Sequence, residues 1–364
     1  MHSRALAIPL HTPFVTALRR TSTIDTLVVT VLTADGLSGL GEAPQVWAVT
    51  GESVAGAAAC VEQVLAPVLV GADTDDWAGL AARLAAACAR NFGAKAAVET
   101  ALLDVVAQLA GMPLAHLLAD FACVPRPEAG PGGGFEVDTD VTISAGTPNA
   151  LAAAASARVA EGFTRLKLKV GTDAATDVAR VRAVREVVGS EVKIRLDANQ
   201  GWSPEAAVAV IRALGEADLG VELVEQPVAG DDVEGLAWVR ERVDLPILAD
   251  ESVFGMSDLE RAIRLSAADA VNVKLAKCGG PVAGLALLTR AQDAGWGTMV
   301  GSMMESHIGV AAAGSLVAAR GTSLVSDLDA AWWATHCPYA GGPAYGPGVI
   351  HLGPGAGLGM SLVG

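Results

Sequence analysis

The chain has 364 residues, of which 25 are basic and 40 acidic, giving a formal net charge of −15. That excess of acid opposes nucleic acid or an anionic membrane as partner, and no uninterrupted apolar run reaches the roughly 18 residues of a membrane span. Five cysteines, odd in number and without CxxC spacing, point to neither a disulfide framework nor a zinc site, so a reducing cytoplasm is the expected setting.

The first 125 residues read as an α+β domain. Two alternating segments, ALAIPLHTPFV and DTLVVTVLTADGLSGLGEA, carry a turn at Asp35-Gly36, and helices are predicted around 53–70, 76–91 and 95–120. PRPEAGPGGG, residues 125–134, is the linker candidate. Beyond it, apolar β-rich runs begin near 141, 165, 193, 221, 246, 270, 297 and 323, separated by segments of helical periodicity such as DVARVRAVREVV. From Lys169 through Asp197, Glu225, Asp250, Lys274 and Ser302 to Asp327 the steps are 28, 28, 25, 24, 28 and 25 residues, the length of one βα unit. Eight such units predict a (β/α)8 barrel, a TIM-like fold whose reactive residues belong at the C-terminal ends of the strands. The glycine-rich tail after 331 is too irregular to assign independently.

The chemistry sits on those strand ends. In RLKLKV, Lys167 and Lys169 are two apart and share a face of one strand. Asp197, Glu225 and Asp250 end the next three strands. A single strand-end carboxylate is usually solvated or caps the following helix; three on successive strands converge as hard oxygen ligands suited to Mg²⁺. Glu251, adjacent to Asp250, is expected to turn to the other face, and Asn199 to orient Asp197. Lys169 and Lys274 lie across the barrel from each other, so a substrate carbon between them could lose a proton to one and regain it from the other, inverting a stereocentre. Lys167 suits stabilisation of a substrate carboxylate as charge builds there.

KLKV, RLDANQGW, ELVEQP, ILADESVF and NVKLAKCGG together resemble the enolase superfamily, muconate-lactonizing subgroup, along essentially the whole chain. The resemblance implies that Asp197, Glu225 and Asp250 hold Mg²⁺, that Lys169 and Lys274 are the acid/base pair, and that residues 1–125 with the tail 331–364 cap a barrel spanning 126–330. The subgroup includes muconate cycloisomerases, o-succinylbenzoate synthases, N-acylamino acid racemases and dipeptide epimerases. SDLDA favours the last: Asp327 and Asp329 can both point into the mouth, where an uncompensated acidic pair demands a cation, and the pattern resembles the epimerases' DxD motif for a free α-ammonium group. PFVTALRRT resembles the loop that presents an arginine, here Arg19 with Arg20 as the competing assignment, to a glutamyl side chain, although Val15 departs from the polar residue often found there. Ser302 and Met304 resemble positions contacting the dipeptide backbone, and Thr142 one near its carboxylate. Glu305 is expected near Lys274 or as a strand buttress, and His307 as a bystander. The expected protein is thus a dipeptide epimerase acting on L-Ala-D/L-Glu or a relative, in a peptidoglycan-recycling setting; a homo-oligomer is compatible with the sequence.

Overall fold

The computed structural model describes residues 1–16 and 19–362. Strands β1 (His2–Val15), β2 (Arg20–Leu32) and β3 (Ser38–Pro44) pair antiparallel in that order. Helices α1 (Val54–Cys60), α2 (Ala66–Leu69), α3 (Trp77–Ala86), α4 (Phe92–Leu109) and α5 (Leu114–Phe121) follow. Two predicted helices are interrupted. A π-helical stretch, Val61–Leu65, lies between α1 and α2, and the helix expected over 95–120 breaks where Gly111 takes φ 64° and Pro113 can donate no N–H. β3 lies directly on α4: a Cβ on Gly39 would fall 2.1 Å from the Ala101 carbonyl oxygen and one on Gly41 1.9 Å from that of Ala97, so only glycine fits either position.

After a linker with neither helix nor strand over 125–134, β4 (Phe135–Asp138) leads into the repeat. The units are β5 (Val141–Ile143), α6 (Pro148–Ala160), β6 (Arg165–Lys169), α7 (Ala174–Val188), β7 (Lys193–Asp197), α8 (Pro204–Glu216), β8 (Val221–Glu225), α9 (Val233–Arg240), β9 (Ile247–Ala249), α10 (Met256–Arg264), β10 (Ala270–Lys274), α11 (Leu275–Cys278), α12 (Pro281–Asp293), β11 (Gly297–Gly301) and α13 (His307–Arg320). Their starts are written locally: Thr147 and Ser203 cap α6 and α8 through their hydroxyls, each with proline in the first turn. β5 to β11 form one parallel sheet in sequential order. The eighth strand is reduced to two parallel bridges, Gly301 to Asp327 and Thr139 to Ser326. Even so it closes the barrel, since Asp327 N–H donates to Val300 (3.0 Å) on one side and Asp140 N–H to Ser326 (3.0 Å) on the other.

The tail forms β12 (Tyr339–Gly341), β13 (Ala344–Gly346), β14 (Val349–Leu352) and β15 (Met360–Leu362), with β14 paired to β4 and β12 to β15. Asp104 on α4 joins tail and first sheet, accepting from Leu358 N–H and Leu40 N–H at 2.8 Å each. Two further buried carboxylates fasten the N-terminal α+β domain to the barrel. Glu42 of β3 accepts from Ser306 and Gly309 N–H at the start of α13, and Glu99 of α4 from Val282 N–H at the start of α12, all at 2.8 Å. No single described helix is long and apolar enough to cross a membrane.

Candidate active site

Parallel register puts the key side chains on one rung: Lys169 faces Asp197, Asp197 faces Glu225 and Glu225 faces Leu248, two residues before Asp250. These groups are almost fully buried, so each charge must be met by another. Lys169 Nζ lies 2.5 Å from Asp197, Lys274 Nζ 2.7 Å from Asp250, and Lys167 Nζ 2.7 Å from Glu225, 3.2 Å from Asp197 and 2.6 Å from Asp327. Burial would raise the Asp197 carboxyl, yet Lys169 and Lys167 outweigh it and hold it at about 2. Asp250 is depressed likewise, Lys274 and Lys277 overcoming the cost of burial. Glu225 goes the other way, to about 7: burial dominates, Lys167 opposes it, and Asp197 and Asp250 add repulsion. Burial disfavours the Lys274 ammonium, but Asp250 and Glu225 together raise its pKa above the ordinary value.

Above this rung opens a cavity enclosing about 580 Å³, part of it open to solvent. Arg19, Thr142, Lys169, Asp250, Lys274, Ser302, Met304, Asp327 and Asp329 all line it. Lys167, Asp197 and Glu225 do not; they lie beneath its floor. β6 and β10 are separated by β7, β8 and β9, so Lys169 and Lys274 reach the cavity from different sides of the barrel. Phe14 of β1 places its ring 5.7 Å from the Lys169 ammonium. Arg19 is partly buried at the cavity wall, where desolvation lowers its pKa against the pull of Glu251, whereas Arg20 is exposed. Ala17 and Leu18 of the TALRR segment lie outside the described residues.

The acidic pair on the eighth strand differs from expectation. Asp327 already has its cation in Lys167, which holds its carboxyl low despite burial. Among the described residues Asp329 accepts from neutral donors at Oδ2, Thr142 N–H (2.7 Å) and Trp333 Nε1–H (3.0 Å), and burial followed by Asp327 raises its pKa against the pull of Lys167. The need for an external cation therefore falls on Asp329 alone.

Glu251 also departs from the reading. Strand alternation turns it away from the cavity, but β9 ends at Ala249 and the pleat does not extend through residues 250 and 251. Glu251 lines the wall, its pKa lifted to about 8 by burial, then by Asp250 and Asp197. Asn199 orients Asp197 through its backbone N–H (2.9 Å) and turns its amide towards Glu251 (3.4 Å). Glu305 accepts from Met303 N–H (2.9 Å) and lies beside Glu42. His307 opens α13 and does not line the cavity.

Sequence reasoning misses three supports. Lys277 Nζ lies 2.5 Å from Asp250 and donates to the Asn272 carbonyl at 3.1 Å; its signal was a second lysine three residues after Lys274 in an apolar run. Asn272 donates its amide to Glu225 at 2.8 Å from mid-strand in AVNVKL, where a polar residue between valines was the cue. Trp333 had no such cue, because its bond to Asp329 depends on the path of the chain after the last strand.

As they stand, the described residues gather no group of three or more carboxylate, histidine or cysteine side chains tightly enough around one point to hold an ion. Lysine ammonium groups are bonded to each of Asp197, Glu225 and Asp250. The donor set nevertheless fits a hard divalent cation: three buried oxygen ligands from adjacent strand ends, with burial first and the repulsion of Asp197 and Asp250 after it raising Glu225.

A family model described as mandelate racemase / muconate lactonizing enzyme, N-terminal domain, matches residues 3–119, and one described as enolase C-terminal domain-like matches residues 150–363. The L-Ala-D/L-Glu epimerase of Bacillus subtilis (strain 168) is 38% identical over 98% of this chain and 94% of its own. The substrate-liganded complex of the L-Ala-D/L-Glu epimerase from Bacillus subtilis superimposes with a TM-score of 0.92, covering 99% of this chain and 97% of that one. A dipeptide epimerase from Enterococcus faecalis V583, complexed with Mg and L-Leu-L-Tyr, has a TM-score of 0.91 at 37% identity, covering 99% and 98%. An N-succinyl-L-Arg/Lys racemase of Bacillus cereus is 33% identical over 85% of this chain and 80% of its own.

Proposed function

The chain belongs to the mandelate racemase / muconate lactonizing enzyme family of the enolase superfamily, and from that premise we propose that it is a Mg²⁺-dependent dipeptide epimerase. It inverts the α-carbon of the C-terminal residue by two-base 1,1-proton transfer, with L-Ala-D/L-Glu or a related dipeptide as substrate. The observation that carries this reading is Asp329: a buried carboxylate lining the same cavity as Lys169 and Lys274, held by neutral N–H groups and, among the described residues, bonded to no cation, a place that a dipeptide's free amine fills.

In this reading Asp197, Glu225 and Asp250 would hold Mg²⁺, which would supply Lewis-acid charge towards the substrate's carboxylate. Lys167, beneath the floor, adds positive charge on that side, where negative charge develops as the α-proton leaves. One of Lys169 and Lys274 takes that proton as the neutral amine, and the other returns one to the opposite face as the ammonium. Ser302 and Met304 line the space for the peptide backbone and Thr142 that near the carboxylate, Asp329 assisted by Asp327 receives the α-ammonium, and Arg19 faces the second side chain. We assign residues 1–125 with 331–364 to the capping unit and 126–330 to the barrel; the hydrogen bonds that the Leu40 and Leu358 N–H groups donate to Asp104 support grouping the tail with the cap. The setting we propose is peptidoglycan recycling in the cytoplasm, where the five free cysteines stay reduced.

A second reading, racemisation of an N-acylated amino acid, draws on the similarity to the Bacillus cereus racemase. Incubating a dipeptide library and its N-acetylated counterpart in D₂O with Mg²⁺, then reading deuterium at the α-carbon by mass spectrometry, separates the two. The epimerase incorporates label into free dipeptides, and N-acetylation raises KM and leaves only residual turnover. Equal or better turnover of N-acylated amino acids replaces the epimerase reading with the racemase.

A further inference from the structure

Just after the last strand the chain places two tryptophans side by side, and Trp333 contacts two different parts of the cavity wall at once. Its indole N–H donates to Asp329 Oδ2 at 3.0 Å. Its ring meets Phe14 edge-on at 5.3 Å, and Phe14 in turn lies over the Lys169 ammonium at 5.7 Å. Trp333 is itself held: His11 stacks on it at 5.3 Å and Trp332 meets it at 89° and 5.3 Å. It is 5% exposed, in a cluster with Ile8, Phe14 and Met304.

We propose that Trp333 is a positioning residue for the substrate amine, fixing the Asp329 carboxylate so that its remaining oxygen faces the cavity. Both hydrogen bonds to Asp329, from Thr142 N–H and from the indole, end on Oδ2. That anchors one oxygen and leaves Oδ1 for a cationic donor. Both donors are neutral, so they orient the carboxylate without cancelling its charge. Asp327 contrasts with it, being bonded to the Lys167 ammonium. The same indole seats Phe14, so the amine subsite and the wall beside Lys169 share one rigid support. The inference rests on the dipeptide reading, since it assigns a role towards a free amine.

Trp333→Phe keeps an aromatic ring towards His11, Phe14 and Trp332 and removes the indole N–H together with one of the two fused rings; the lost volume acts on both substrates alike, the lost N–H on the free amine alone. With an active dipeptide, KM rises about tenfold while kcat stays within about threefold, as loss of one hydrogen bond to a charged group implies. The N-acetylated dipeptide, lacking the amine, changes little, so the preference for the free amine narrows about tenfold. An unchanged KM, or equal losses on both substrates, overturns the proposal. Should the variant fold poorly, ¹⁵N-indole spectra of the wild type and of Asp329→Asn decide: the Trp333 signal shifts when the carboxylate is replaced, and an indole signal that stays in place sinks the assignment. A wild type inactive on every free dipeptide removes the amine, and with it this role; that outcome differs visibly from an active wild type with an unaltered variant.

Discussion

Lys169 and Asp197 are Cα partners across the β6–β7 ladder, and their side chains meet at 2.5 Å. Lys274 makes the matching contact with Asp250 from β10, at 2.7 Å. Each proposed acid/base lysine is therefore braced by a different proposed metal ligand, so the faces of the cavity have separate supports.

Replacing either lysine by alanine removes epimerisation, by about 10²- to 10⁴-fold for loss of one general acid/base. Because each lysine serves one face, one of Lys169→Ala and Lys274→Ala retains exchange of the α-proton from a single substrate enantiomer. Proton NMR in D₂O with each enantiomer checks this; near-wild-type epimerisation by either variant refutes the two-base assignment.

Asp197→Asn, Glu225→Gln and Asp250→Asn weaken Mg²⁺ binding and activity together. Calorimetric titration of the protein with Mg²⁺ reads the first and the D₂O assay the second. Full activity after exhaustive chelation removes the metal from the mechanism.

Stability falls as pH rises from about 5 to 9. Burial lifts Glu99 and Glu305 to about 8 from an unfolded value near 4.5, so between those values the folded chain holds protons that the unfolded chain has released. Their contribution is complete below pH 4.5 and is lost on passing through pH 8. Glu99→Gln keeps an acceptor for Val282 N–H and takes no part in titration, so the slope of Tm against pH flattens. A slope equal to the wild type's shows that Glu99 does not titrate in the folded state over this range.

Arg19→Met lowers kcat/KM on dipeptides with an acidic second residue by about 10- to 100-fold relative to an uncharged one, the cost of a lost hydrogen-bonded charge pair. Equal loss on both classes retains the epimerase and discards the glutamyl preference.

The barrel and its reactive rung were legible because strand spacing and strand alternation carry them, and Lys169, Asp197, Glu225 and Lys274 all end regular strands. Legibility stopped where the pleat stopped. Glu251 lies two residues past the last pairing of β9 at Ala249, and Trp333 six past the bridge at Asp327, in backbone whose direction no period fixes. The eighth strand shows the same limit: its residues were identifiable, but its reduction to two bridges depends on neighbours at 138–140 and 300–302. Charge balance was harder still. The partner of Asp327 is Lys167, 160 residues away in sequence, and only the closed barrel brings them together.

Glu42 and Glu99 bear on how a ligand reaches the cavity. Swinging the cap off the barrel as one body would strip the first turns of α12 and α13 of their acceptors and carry both carboxylates out of their burial sites. Such a motion breaks three hydrogen bonds at once before it gains any opening. Phe14, Thr16, Arg19 and Val49, which line the cavity, are not among the partners in these three bonds, so substitutions at them can alter the cavity while the contacts of Glu42 and Glu99 stay in place.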